Sequence, residues 1–96
     1  METSEKKGME LLVRALLSLK TEAECEAFLE DLMTRKEMAD VAQRLLVAKL
    51  LSEQAVYNKI VEQTGASTAT ISRVNRAYHY GSGGYQTILD RIGGKK

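Results

Sequence analysis

The sequence predicts an all-α fold. The 96-residue chain contains no proline, and helix-forming residues dominate it outside a glycine-rich stretch near its end. Residues that cap helix starts recur just before apolar residues with helical spacing. A chain of this length is sufficient for one modest hydrophobic core, so we expect a single domain over residues 1–96.

Capping signals predict six helices in order along the chain. Ser4 begins a first helix that extends to Lys20 and has a broad leucine-rich face. The sequences TEAE, from Thr21, and TRKE, from Thr34, are capping boxes that begin the second and third helices. After a turn near residues 52–54, three more helices follow at about 56–63, 68–80 and 85–92, with a glycine break at 81–84 before the last.

Charge divides the chain into an acidic and a basic half. Residues 1–56 contain eight Lys or Arg and eleven Asp or Glu, a net charge of −3, whereas residues 57–96 contain six and two, a net charge of +4. A basic surface attracts phosphate backbones, so nucleic acid is the expected partner of the second half.

Composition excludes several other classes of protein. The single cysteine, Cys25, excludes an internal disulfide and a cysteine-rich zinc site, and we expect it to be buried or half-buried. The single histidine, His79, cannot form a protein metal site by itself. Neither a metal nor a cofactor is predicted. No apolar run approaches the roughly 20 residues that span a bilayer, and no signal peptide is visible. We therefore expect a cytoplasmic protein with no membrane partner.

The stretch TGASTATISRV, residues 64–74, predicts a helix-turn-helix over about residues 56–80. Gly65 supplies a turn position that tolerates positive φ, and Ser67 caps a helix that begins at Thr68. In that helix Ile71, Val74 and Tyr78 form a stripe that we expect to be buried. The predicted DNA-binding residues combine phosphate contacts with base readout: Arg44, Asn58, Ser67, Thr68, Ala69, Thr70, Ser72, Arg73 and Arg76.

Two segments, TGASTATISRVNRAYHYGSGGY and FLEDLMTRKEMADVAQRL, resemble the Trp-repressor superfamily, and specifically its YerC/YecD-type branch. The resemblance covers roughly residues 28–92. It implies a six-helix, intertwined homodimer in which about residues 1–51 are dimerisation helices and about residues 85–92 form a C-terminal helix. It also implies a bacterial transcriptional regulator, with repression as the expected effect, that places two helix-turn-helix units in successive major grooves of double-stranded DNA.

The resemblance also implies a candidate ligand pocket. At the positions with which relatives hold tryptophan, Thr34, Arg44, Thr70 and Arg73 keep the expected residue type. Two neighbours depart, because Val74 replaces a glycine and Ala77 replaces a serine. The valine obstructs the indole slot and the alanine removes an ammonium partner, so tryptophan is not the expected effector. Another small-molecule corepressor, or none, remains open, and Arg44 and Arg73 have phosphate contact or an inter-helix salt bridge as alternative roles.

Three tyrosines near the glycine break, Tyr78, Tyr80 and Tyr85, are predicted to pack the last helix in preference to stacking on nucleobases. Two other function classes stay open beside the DNA-binding regulator. One is a protein-interaction or small-ligand sensor module with weak DNA binding. The other is a small all-α dimeric enzyme that gathers Arg14, Arg44 and Glu53, although their spacing does not require it and no catalytic residue is predicted.

Overall fold

A computed structural model describes residues 3–93 of the chain. Over these residues the secondary structure consists of α-helices joined by short turns, which confirms the all-α, six-helix class. The six helices are α1 (Ser4–Ser18), α2 (Glu22–Leu32), α3 (Arg35–Ser52), α4 (Tyr57–Thr64), α5 (Thr68–Tyr80) and α6 (Gly84–Ile92). Within residues 3–93, none of the helices has the length and apolar character needed to cross a membrane.

Side-chain caps fix the starts of the first two helices. The Lys6 amide donates to Thr3 Oγ1 at 3.0 Å, so the cap of α1 is Thr3 and not the neighbouring Ser4. The helix ends at Ser18, two residues before the predicted end. In α2 the Glu24 amide donates to Thr21 Oγ1 at 3.0 Å, as a capping box requires. The carboxylate of Glu24 accepts from the amide of Lys20, one residue before the cap, at 2.9 Å.

The chain divides into two compact units between Arg35 and Lys36. In the described part of the first unit, which contains α1 and α2, no residue is buried. Leu17, for example, is 80% exposed, and Cys25 is half-buried as predicted. The predicted single domain, with dimerisation helices extending to about residue 51, stays a prediction.

The second unit contains a hydrophobic core in which α5 is central. Val47 and Ala48 come from α3, and Ile71 and Val74 come from α5. The remaining buried residues are Ile60 of α4, Ala66 of the following turn and Leu89 of α6. Because α5 contacts both α4 and α6, its apolar stripe lies inside the unit and its opposite face is left to solvent. The predicted stripe is therefore confirmed for Ile71 and Val74, with Tyr78 half-buried beside them.

The tyrosines at the end of α5 point in different directions. Tyr78 and Tyr85 pack against the core, as predicted, but Tyr80 is 85% exposed, so its predicted packing role is wrong. The reason is helical geometry, since two residues advance by about 200° around a helix. When Tyr78 faces the core, Tyr80 must face away from it.

Candidate nucleic-acid interface

The turn between α4 and α5 is held by three kinds of hydrogen bond. Gly65 has φ 73°, the left-handed conformation predicted for it, and its amide donates to the Val61 carbonyl at 2.8 Å. The hydroxyl of Thr64 donates to the Ile60 carbonyl at 2.7 Å and accepts from the Ala66 amide at 3.0 Å. The turn is thus braced by a side chain of its own helix.

Gln43 of α3 adds a longer-range contact to this turn. Its Nε2 donates to the carbonyl oxygen of Thr64, the last residue of α4, at 3.1 Å. The bond is partly buried and joins residues 21 positions apart. It therefore fixes the C-terminal end of α4 against α3. Sequence reasoning missed Gln43, because nothing in the local pattern indicates the partner of an isolated glutamine.

The start of α5 is closed by Ser67, as predicted. Ser67 Oγ accepts from the Thr70 amide at 3.1 Å and donates to Thr70 Oγ1, also at 3.1 Å. Both hydroxyls are thus engaged with each other at the helix start, and Thr70 is half-buried. These hydrogen bonds favour a role in capping the start of α5 over a role in contacting a base.

The outward face of α5 presents short polar side chains followed by cations. Thr68, Ala69, Ser72, Arg73 and Arg76 are all exposed. Within the described residues, neither arginine has an ion pair and neither hydroxyl, of Thr68 or of Ser72, has a hydrogen-bond partner. No aspartate or glutamate occurs between residues 63 and 89, so the face has no neighbouring acid on its own helix. These groups are available to an anionic partner.

The other predicted DNA-binding residues lie on two further helices. Asn58 is exposed in the first turn of α4, and Arg44 is exposed on α3. Arg44 also has no ion pair within the described part of the chain. In the described part of the chain, therefore, neither Arg44 nor Arg73 forms the inter-helix salt bridge considered as an alternative role.

The predicted ligand-pocket residues fall into different surroundings. Val74 is 1% exposed and belongs to the core, whereas Ala77, one turn later, is exposed. Ala77 lines a shallow apolar groove of the second unit together with Leu45, Ser82, Gly84, Tyr85 and Ile88. Thr34 is exposed at the end of the first unit. The pocket itself stays a prediction.

A polar cleft between α4 and α5 contains residues that sequence reasoning left out. Tyr57, at the start of α4, faces Ser72, Asn75, Arg76 and Tyr80 of α5 across it. The sequence contains a signal for three of these five residues, because positions 72, 76 and 80 are spaced i, i+4, i+8 and therefore form one ridge of a helix. Tyr57 could not be found in this way, since its proximity arises from the packing of α4 on α5.

The residues considered for an enzyme do not converge within the second unit. Arg44 lies in α3, and Glu53 follows directly after its last residue, Ser52. The nine positions between them correspond to two and a half helical turns, so the two side chains lie on opposite sides of the helix and roughly 13 Å apart along its axis. Glu53 is moreover paired with Lys49 at 2.5 Å. Within residues 3–93, no group of three His, Cys, Asp or Glu side chains could hold a metal ion.

Comparison with known proteins identifies the family of this chain. Residues 7–93 match the family model described as Trp repressor protein. The chain belongs to the Trp repressor family. It is 48% identical over 94 residues to YerC of Bacillus subtilis (strain 168), a protein described as uncharacterized, with 96% of this chain and 90% of YerC covered.

Two solved structures extend the similarity of this Trp repressor family member to the fold. A TrpR-like protein from Eubacterium eligens ATCC 27750 superposes with a TM-score of 0.87 at 45% identity, covering 99% of this chain and 95% of that one. A candidate Trp repressor from Staphylococcus aureus also gives 0.87, at 38% identity, covering 100% and 99%. The predicted resemblance is thereby confirmed at the level of family, branch and six-helix fold.

Proposed function

We propose that this protein is a sequence-specific DNA-binding transcriptional regulator whose α4, turn and α5 form a helix-turn-helix. The observation that carries the proposal is the exposed face of α5, where unpaired hydroxyls precede the unpaired guanidinium groups of Arg73 and Arg76. A recognition helix requires this arrangement, because its first turns meet base edges and its flanks meet phosphates. Membership of the Trp repressor family supports the same function.

The proposed readout divides the face into two kinds of contact. Thr68, Ala69 and Ser72 are short and lie near the start of α5, so they approach base edges in the major groove. Arg44, Arg73 and Arg76 contact phosphates, while Asn58 supports the start of α4 on the backbone. Few long polar side chains are available to form bidentate base contacts. Recognition therefore relies on bridging water and on DNA shape as well as on direct contacts.

The proposed active form is a homodimer that acts as a repressor. Several large apolar side chains of α1 are exposed in the single chain, including Leu11 at 59% and Leu17 at 80%. Such surface is typical of a chain that completes its burial against a second copy. Two copies related by a two-fold axis present two α5 helices to successive major grooves, which matches a palindromic site in bacterial DNA.

Tryptophan is not the proposed effector. Val74 occupies the core, where it packs with Ile71 and Val47, and a side chain fixed there cannot move aside for an indole ring without leaving a cavity. Ala77 offers no hydroxyl for an ammonium group. Arg44 and Arg73 remain exposed and are assigned to phosphate contact in this proposal.

Selection of bound duplexes from a random-sequence DNA pool, with and without tryptophan, tests the proposal. We expect an enriched site with two-fold symmetry, half-sites about one helical turn apart, and no dependence on tryptophan. The Arg73→Ala variant is the control, and it should bind every duplex more weakly than the wild type. If nothing is enriched, or if the variant and the wild type bind random DNA equally well, the protein-interaction alternative gains over DNA binding.

A further inference from the structure

The cleft between α4 and α5 is lined only by side chains that donate hydrogen bonds. Tyr57, Ser72 and Tyr80 contribute hydroxyls, Asn75 contributes an amide and Arg76 contributes a guanidinium group. No carboxylate lines this cleft. Within the described residues none of the five side chains has a hydrogen bond or an ion pair, so all of these donors are available.

The position of the cleft relates it to the proposed interface. Ser72 and Arg76 belong both to the cleft and to the exposed face of α5. Tyr80 extends the same ridge by one turn towards the end of the helix and is 85% exposed. A helix whose first turns lie in the major groove brings its later turns and its neighbour α4 to the wall of the groove, where phosphates lie.

We infer that this cleft binds one phosphodiester group of the DNA backbone, with the hydroxyls of Tyr57 and Tyr80 and the amide of Asn75 as neutral donors beside Arg76. The inference rests on the proposed function, because a backbone phosphate reaches the cleft only if α5 enters the groove. Phosphate oxygens accept several hydrogen bonds at once, which suits a cleft that offers these four donor side chains and no acid.

The neutral donors of this site can be distinguished from its cation by how DNA affinity depends on salt. A lysine or arginine that meets a phosphate releases counterions, so its loss reduces the dependence of affinity on salt. A tyrosine hydroxyl carries no charge and releases none. Tyr80→Phe should therefore lower DNA affinity about tenfold per subunit while leaving the salt slope unchanged, because a hydrogen bond to a charged group is lost. Arg76→Ala should lower both the affinity and the slope, the latter by about one unit per contact.

A methylphosphonate scan of the selected duplex, using the full chain, tests the site. Each substitution replaces one charged phosphate oxygen by a methyl group. At one phosphate per half-site, we expect the methylphosphonate to lower the affinity of the wild type. The same methylphosphonate should lower the affinity of the Tyr80→Phe variant only a little, since the substitution in the DNA and the substitution in the protein remove the same hydrogen bond. Tyr57→Phe should show coupling at the same phosphate. Tyr78→Phe is the matched control, because it deletes the same atom from the core-facing side of α5 and should bind DNA like the wild type.

Three results would overturn the inference and leave the proposed function in place. If Tyr80→Phe and Tyr57→Phe bind the duplex as tightly as the wild type, the cleft does not contact DNA, while the proposed function stands. If the two variants weaken binding but couple to no phosphate, their hydroxyls act elsewhere. If the duplex-free protein binds inorganic phosphate saturably in the cleft and no methylphosphonate position couples, the site holds a free anion. A wild-type protein that enriches no duplex would instead refute the proposed function, and this site with it.

Discussion

The two compact units of the chain, residues 1–35 and 36–96, differ in charge and in what their helices bury. The first contains five Lys or Arg and eight Asp or Glu, and none of its described residues is buried. The second contains nine and five, and all seven buried residues of the described chain belong to it. Both units have apolar helix faces, but only the second provides its own partners for them.

This difference indicates that the two units depend on different kinds of stabilisation. In the second, burial of Ile60, Ile71 and Val74 removes apolar surface from water within one chain. In the first, Leu11, Leu16 and Leu17 remain 45–80% exposed. In the proposed homodimer, a second copy of the chain covers this apolar surface.

The largest expected effect is the loss of a core contact in the second unit. Ile71→Ala should lower the free energy of unfolding by about 3 kcal/mol, because the side chain is fully buried and its removal leaves a cavity. Urea denaturation measures this loss. Ser72→Ala, at the next position but on the exposed face, should change the free energy by about 0.5 kcal/mol or less. Equal effects at the two positions would contradict the orientation of α5.

A smaller loss is expected in the first unit, and it should appear as weaker association. Leu17→Ala should weaken the homodimer by about 2 kcal/mol, roughly thirtyfold in dissociation constant, if the exposed leucine is buried by a second copy. Sedimentation equilibrium over a range of protein concentrations measures the change. Leu17→Met, which keeps the volume, should associate like the wild type. A wild-type protein that is monomeric at micromolar concentration would exclude the dimer.

The sequence predicts the local features of both units better than their contacts. The helix predicted from Thr68 to about Tyr80 agrees with α5, because Ser67 and Gly81 mark its two ends locally. At α1, by contrast, Thr3 and Ser4 are adjacent hydroxyl residues that can each cap a helix, and the sequence does not decide between them.

Features that depend on tertiary packing were missed. The direction of Tyr80 follows from which side of α5 meets the core, and the Tyr57 side of the cleft follows from how α4 packs on α5. The bond from Gln43 to Thr64 joins two helices far apart in sequence. In contrast, six of the nine predicted DNA-binding residues lie on one short helix, α5, whose exposed face follows from the helical period. Five of these six are exposed together: Thr68, Ala69, Ser72, Arg73 and Arg76.

An intermediate effect is expected where α3 holds the turn of the second unit. Gln43→Met should lower the free energy of unfolding by about 1 kcal/mol, because the carbonyl of Thr64 loses a partly buried donor. Gln86→Met is the control, since it removes an amide-to-carbonyl bond of the same kind, to Tyr78 at 2.8 Å, in an exposed position. Its cost should be smaller because water replaces the lost donor. Urea midpoints compare the two, and an equal or larger loss for Gln86→Met would show that Gln43 does not brace the turn.

The smallest effect is a gain in stability at the end of α3. Gln54 has φ 66°, a left-handed conformation that is unfavourable for a residue with a Cβ atom. Its amide donates to the Leu51 carbonyl at 2.9 Å, and the Ala55 amide donates to the Leu50 carbonyl at 3.1 Å, which together form a Schellman motif. Glycine is the residue that this position favours, so Gln54→Gly should raise the free energy of unfolding by about 0.5 kcal/mol after the added freedom of the unfolded chain is counted.

Gln63→Gly is the control, because the same replacement in the right-handed helix α4 should lower stability by about 0.5–1 kcal/mol. Thermal unfolding of the two variants should give shifts of opposite sign, and a loss of stability in both would mean that Gln54 is not held in the left-handed conformation in solution.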